Sequence, residues 1–429
     1  MIRFMQRSAA LAAIVLPSIA MAQASPGEST NYLIRGGTVI TGTGEKLANT
    51  NILVRNGRIA QMGTNVTAND AKVIDASGKF VYPGMIDANT GIGLQEIGGV
   101  QTMSMRSEMG QFNPHIRALV GLNVESEILG VTRMNGVTSV ITSPTRGSIS
   151  GQATLINTAG WTWEDLAVQR NAGIVINLPG GGGGRGRGGG GGGRGGGGGA
   201  EASMAELTSF MQASQDYNTK RTAGGAKLDL VYESMRPLFK KEVPAIMPAN
   251  TEQQIKAAVD FGELYGIRVV IQGGAQAYKV RTMLAQKKIP VVLGSIQSAP
   301  GDDVPYDEIY AQPGLLNDAG VKFAFSTGNG SNARHVSFHA ALAVAYGLAP
   351  DAALKALTIW PAEIFGAQKE IGSIAQGKLA NLFIASGDPF DLRTQIDGIF
   401  IKGRNVPDDD RQHRLYDKYK NRPKAVITP

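Results

Sequence analysis

VPAIMPANTEQQIKAAVDFGELYGIRVVIQGG, residues 243–274, decides the fold. Two short apolar runs, VPAIMPA and IRVVIQG, flank TEQQIKAAVDFGELYG, which reads as a helix. A strand, a helix and a second strand in so short a span form one crossover unit of a parallel sheet. The same texture extends in both directions. GVTSVIT and AGIVINL precede the unit, and IPVVLGS and VKFAFST follow it, with helical stretches between them. This alternation over residues 83–366 predicts an α/β fold, a (β/α)8 TIM-like barrel, with any chemistry at the carboxyl ends of its strands.

Both ends of the chain change to β patterning. YLIRGGTVITGTG, NILVRNGRIAQMG and KVIDASGKFVYPG alternate apolar and polar residues between glycine turns, with Asn56-Gly57 as a hairpin turn. Beyond the helix DAALKALTIWPAEIFG the pattern returns in IGSIAQGKLANLFIASGDPF and IDGIFIKGRNV. Residues 31–82 and 367–406 are therefore expected to form one small β-sandwich domain from both chain ends, with 407–429 as a charged tail, arm or helix.

The chain has 429 residues, 42% hydrophobic and 18% charged, enough for a large globular core. Residues 1–22 combine Arg3 and Arg7, an apolar run and Ala20-Met21-Ala22, the anatomy of a cleaved signal peptide. A soluble exported protein, periplasmic or secreted, is expected. No later run has the roughly 20 apolar residues of a membrane span. Cysteine is absent, which excludes disulfides and thiolate metal sites. Removing the two leader arginines and three in the glycine tract from the net charge of +7 leaves +2, not the basic face of a nucleic-acid reader. That tract, an insertion at 180–199, is expected to be a plain flexible loop at the end of a barrel strand.

LIRGGTVITGTG, VYPGMIDA, NPHIRALVGLNVESEILGVTRMNGVTSV, SISGQATLINTAG and ALKALTIWPAEIFGAQKEIGSIAQGKLANLFIASGDPFD together resemble the metal-dependent amidohydrolase superfamily, most closely its imidazolonepropionase-like branch. The resemblance implies hydrolysis of C–N bonds by water held on zinc or another divalent metal, which lowers the pKa of water from about 15.7 to about 7. It also implies where the ligands belong. The His-x-His positions after Pro83-Gly84-Met85-Ile86-Asp87-Ala88 hold Asn89 and Gly91; the fifth strand end holds Pro248 and Asn250; the sixth holds Gln272; and the aspartate position after Ser326-Thr327 holds Gly328. No lysine lies between Lys79 and Lys220, so no lysine bridge comes from the middle strands. These residue types do not hold zinc, and no metal or other cofactor is expected.

Other candidates are few. His335 and His339, at i,i+4 spacing, could share a metal on one helix face, but no third ligand is apparent. His115 reads as a loop residue and His413 as solvated. Asp87 reads as structural, with a general base as the alternative. Glu96, Glu233, Asp302 and Asp303 read as loop acids, and Trp161 and Trp163 as packing residues.

Three functions follow. The first is a non-catalytic or weakly catalytic protein partnering a second copy of itself or an active paralogue. The second is a C–N hydrolase with a rebuilt site. The third is a binding protein whose pocket, with Asn89, Asn250, Gln272, Ser326 and Thr327, holds a polar small molecule.

Overall fold

The computed structural model describes residues 30–96, 104–180, 198–297 and 305–423. The leader, most of the glycine tract, Asp302 and Asp303 lie outside the described residues.

Two sheets build the molecule. The first contains β1 (Tyr32–Ile40), β2 (Lys46–Arg55), β3 (Arg58–Gly63), β4 (Lys72–Asp75) and β5 (Phe80–Pro83). The second contains β6 (Met85–Thr90), β7 (Val137–Thr142), β8 (Ile149–Asn157), β9 (Ala167–Ile176), β10 (Ala245–Ala249), β11 (Val269–Gly273), β12 (Val291–Leu293) and β13 (Phe323–Ala324). β14 (Leu382–Ala385), β15 (Ile396–Ile401) and β16 (Arg404–Val406) then return to the first sheet.

In that first sheet β5 pairs antiparallel with β14, so residues as far apart in sequence as Val81 and Ile384, 303 positions, are direct partners. Strands from both chain ends thus share one hydrogen-bonded sheet, ordered β16-β15-β14-β5-β1-β2-β3 with β4 beside β1. Asn56 and Gly57, both at positive φ, make the tight turn from β2 to β3.

The second sheet runs β6 to β13 in chain order and nearly closes into a barrel. Its lumen is packed with Ile86, Ile141, Leu155, Val175, Ile246, Val270 and Val292, and Phe365 and Ile371 join the same apolar cluster. The helix Glu252–Tyr265 shows why the sequence folds this way. Thr251 and Gln254 form a reciprocal capping box at its start, and Gly266 ends it in the left-handed conformation. Its face of Ile255, Val259 and Phe261 packs beneath β10 and β11, and a side chain on Gly262 would strike Val269.

The barrel departs from the expected repeat at one strand. β8 runs antiparallel to both β7 and β9, and the loop 143–148 replaces a crossover helix. The other neighbouring pairs in the sheet are parallel. All nine residues of β8 are buried, so it carries no alternation to betray it.

The sheets meet where β5 turns into β6. A Cβ on Gly84 would collide with Thr138 of β7, so only glycine lets the chain cross there. Alongside, buried Asn381 donates to Asn157 Oδ1 at 2.7 Å and to Ser139 Oγ at 3.2 Å, and accepts from the Lys402 amide at 2.8 Å. The tail begins with helix Arg411–Lys420, whose Arg414 pairs with Glu127 at 2.7 Å. Among the described residues no helix is long and apolar enough to cross a membrane.

Candidate functional site

The barrel closes through its first and last strands. Ala88 donates its amide to Phe325, and Gly328 donates to Asn89 O at 3.1 Å. Between them lies Asp87, fully buried. Its carboxylate accepts from the Thr327 amide at 3.2 and 3.3 Å, from Thr327 Oγ1 at 2.5 Å and from the Asn89 amide at 3.2 Å. Burial pushes its pKa up to about 7, with these hydrogen bonds pulling the other way. The Thr327 hydroxyl also lies 3.0 Å from Asn329 O. Having one proton, the hydroxyl bonds both oxygens only when Asp87 is protonated and donates to it, which leaves the Thr327 proton for Asn329 O. Asp87 therefore acts as the clasp of the barrel, and its oxygens are already engaged.

Above this clasp lies the mouth. Ser326 is turned away from it, donating to Leu293 O at 2.6 Å, and Thr327 faces Asp87. Asn89 Oδ1 accepts from Ser143 Oγ at 3.3 Å, at the end of β7. Gln272 follows Val270, and Pro248 follows Ile246, by the two-residue step that keeps side chains on the lumen face. Pro248 and Gln272 are also register partners. Asn250 reaches over Gly273, where a Cβ would clash with it. No hydrogen bond involves the side-chain amides of Asn250 and Gln272 among the described residues. Gly328 is exposed, at φ +66, with open space where a side chain would point.

One residue at the mouth escaped the sequence reading. The chain after β6 folds back, with Met105 bonding Leu94 O at 2.6 Å and Thr145 bonding Arg106 O at 2.6 Å. This lays Arg106 across the ends of β6 and β7. A Cβ on Gly91 would meet its Cδ at 2.8 Å and its Nε and Nη1 at 3.0 Å. The guanidinium thus fills the space a side chain at 91 would enter. It donates only weakly, to Ser143 O at 3.4 Å and Thr90 O at 3.5 Å. Burial depresses its pKa, and among the described residues no carboxylate pairs with it.

The remaining candidates lie elsewhere. His335 accepts from Arg334 Nε at 2.9 Å and stacks on Phe338. His339 is buried in helix Val336–Ala345 with Nδ1 unpartnered, and burial and His335 hold its pKa down at about 4. His115 is exposed. His413 is half exposed and ion-paired, its Nε2 3.1 Å from Asp408 and its Nδ1 against Asp410. Glu96 accepts from Ser126 at 2.9 Å, and Glu233 accepts from Arg236 at 2.6 Å. Trp163 packs partly on the core beneath Arg170, whereas Trp161 is 78% exposed and so departs from the packing expected of it.

A metal centre needs several imidazoles or carboxylates within reach of one point. Among the described residues no three histidine, cysteine, aspartate or glutamate side chains gather in that way. The amides, glycines and proline at the strand ends do not fit a zinc-type ion, and the guanidinium beside Gly91 repels one.

Known proteins share this architecture and part of its sequence pattern. The Amidohydrolase family pattern matches residues 260–406. An amidohydrolase from Thermotoga maritima MSB8 superposes with a TM-score of 0.74 at 28% identity, over 88% of this chain and 99% of that one. Residues 260–406 thus carry the Amidohydrolase family pattern, within a fold that this amidohydrolase shares. Molinate hydrolase shares the superfamily fold at a TM-score of 0.55 and 16% identity, over 94% of this chain and 100% of that one. In sequence, 87 residues are 36% identical to the dihydroorotase of Bacillus thuringiensis (strain Al Hakam), covering 19% of this chain and 20% of that enzyme. The chain aligns with only about a fifth of the length of the curated relatives it matches.

Proposed function

We propose that this protein is an exported, imidazolonepropionase-like member of the superfamily that has given up metal-assisted hydrolysis. It serves as a non-catalytic or weakly catalytic protein, in partnership with a second copy or an active paralogue. The observation that carries this reading is the Arg106 guanidinium in the space beside Gly91. A site that loses an imidazole and gains a fixed cation at one place no longer suits a dication. Without a metal, water near pH 7 supplies hydroxide at many orders of magnitude below what a metal-bound water offers. Asp87 does not substitute as a base, because Thr327 and Asn89 already occupy its oxygens.

Elemental mass spectrometry of protein purified without chelator tests the reading. Less than about 0.1 equivalent of zinc, manganese, nickel, cobalt or iron after dialysis is expected, since an incomplete donor set does not retain metal. One equivalent or more would overturn it and direct attention to His335 and His339.

A second reading is favoured by the names of similar proteins, which include dihydroorotases, prolidases and molinate hydrolase. Under it the chain hydrolyses a C–N bond. Turnover of dihydroorotate or an Xaa-Pro dipeptide, stimulated by added zinc and abolished by chelator, would establish it. The proposal expects neither.

A further inference from the structure

We propose that the barrel mouth binds a small molecule through its carboxylate, with Arg106 as the residue that receives it. This rests on the metal-free mouth proposed above and names the ligand class of that same site.

Three observations converge. First, the Arg106 guanidinium is anchored at the mouth by its backbone, through the Thr145 amide, and by two long contacts to carbonyl oxygens. A guanidinium has five N–H donors in a rigid fork, so among the described residues most of its donor capacity is unused. Second, it is largely removed from water, and no carboxylate among the described residues neutralises it. An uncompensated cation in that setting is costly, and a planar carboxylate is the partner whose geometry matches it with two parallel hydrogen bonds. Third, the lumen-facing strand ends carry further unpaired groups. Among the described residues the side-chain amides of Asn250 and Gln272 lack partners, and Asn89 has only its Oδ1 engaged, by Ser143. Amides supply both donors and acceptors, which suits a ligand bearing a neutral polar group as well as its acid.

The coupling to Gly91 strengthens the case. Any larger residue at 91 would press on the guanidinium, because its Cβ would stand 2.8 to 3.0 Å from three Arg106 atoms. The small residue and the cation therefore form one arrangement. A structural arginine would be expected to hold a carboxylate of its own chain, as Arg404 holds Asp165 at 2.7 Å and Arg236 holds Glu233 at 2.6 Å. Arg106 holds none among the described residues.

The test uses the full mature protein and N-acetylglycine as probe, with N-acetylglycinamide as its neutral isostere. At a tenfold excess over its Kd the acid should raise Tm by about 1 to 2 °C, and the amide should not. Arg106→Gln should abolish the shift, and Arg106→Lys should retain only part of it. Should Arg106→Gln fold poorly, wild-type protein gives an independent readout. Phenylglyoxal should modify Arg106, located by peptide mass spectrometry, and the acid should protect it whereas the amide should not. Equal responses to acid and amide, or a response surviving in Arg106→Gln, would overturn the assignment. So would the absence of both a Tm shift and protection in wild-type protein. Metal is measured on the same sample: bound metal removes the reading beneath, whereas a metal-free protein that ignores the acid removes only this inference.

Discussion

Replacing Asp87 with asparagine should make stability rise with pH where that of the wild type stays nearly level. Burial holds the Asp87 carboxyl at about 7 in the folded protein, against 3.8 for the free group. The folded state thus binds this proton more tightly, so the stability it contributes is complete at low pH and is lost as pH rises through about 7. The span of roughly 3 pH units corresponds to about 4 kcal/mol. His339 acts in the opposite sense. Its pKa is lowered by burial and by His335 from 6.5 to about 4, so stability is lost as pH falls across that interval, by about 3 kcal/mol. In the wild type the two slopes nearly cancel between pH 4 and 6.5. Asparagine mimics the protonated acid: its oxygen accepts from the Thr327 and Asn89 amides, and its Nδ2 donates to Thr327 Oγ1, which then donates to Asn329. Asp87→Asn should therefore gain about 3 kcal/mol between pH 4 and 6.5 and exceed the wild type at pH 8, by up to about 4 kcal/mol or roughly 5 °C in Tm. Urea unfolding followed by tryptophan fluorescence at intervals across pH 4.5 to 8 gives both curves. Parallel curves, or a variant weaker than the wild type at pH 8, would refute the clasp and its titration.

Three further outcomes are expected. Gly84→Ala should lower stability by about 3 kcal/mol or more, because its Cβ would collide with Thr138 at the junction of the two sheets; a fall in Tm below about 2 °C would contradict that reading. Asn381→Leu should cost about 2 to 3 kcal/mol in chemical denaturation, since it strands the Lys402 amide and leaves Asn157 Oδ1 with only the Ser139 hydroxyl at 3.1 Å. Gly91→Ala should cost about 1 kcal/mol in the wild type but almost nothing in Arg106→Ala, a coupling that a double-mutant cycle measures and that vanishes if the two residues are independent.

Legibility in the sequence followed physical regularity. The apolar runs around 137–142, 245–249, 269–273 and 291–293 stood out because strands buried on both faces are continuously apolar. Strand β8 did not stand out. Its ISGQATLIN is wholly buried yet mixed in polarity, with Gln152 bonded to Pro114 O and Thr154 to Gln169 O, so neither alternation nor an apolar run marked it. The positions at the mouth follow from the strand ends, whereas the structural reading of Asp87 follows from the family resemblance. Which side chains engage one another was not legible. Ser326 and Thr327, read as pocket residues, have their hydroxyls satisfied inside the barrel wall. Arg106 lies in a loop with no periodicity, and the only hint of it was that a close-packed interior does not leave the space beside Gly91 empty.

The seam between β6 and β13 has a consequence for the order in which the chain folds. Asp87 and Thr327 are 240 positions apart, and the other sheet waits for the pairing of β5 with β14. Neither sheet can be completed until the final strands have been synthesised. Local βα units such as 243–274 can form early, but the entropy of closing so long a loop is met only at the end. The nascent chain consequently stays open for most of its synthesis. The amides of Ala88, Thr327 and Gly328 should be the first barrel protons to exchange when the finished protein breathes.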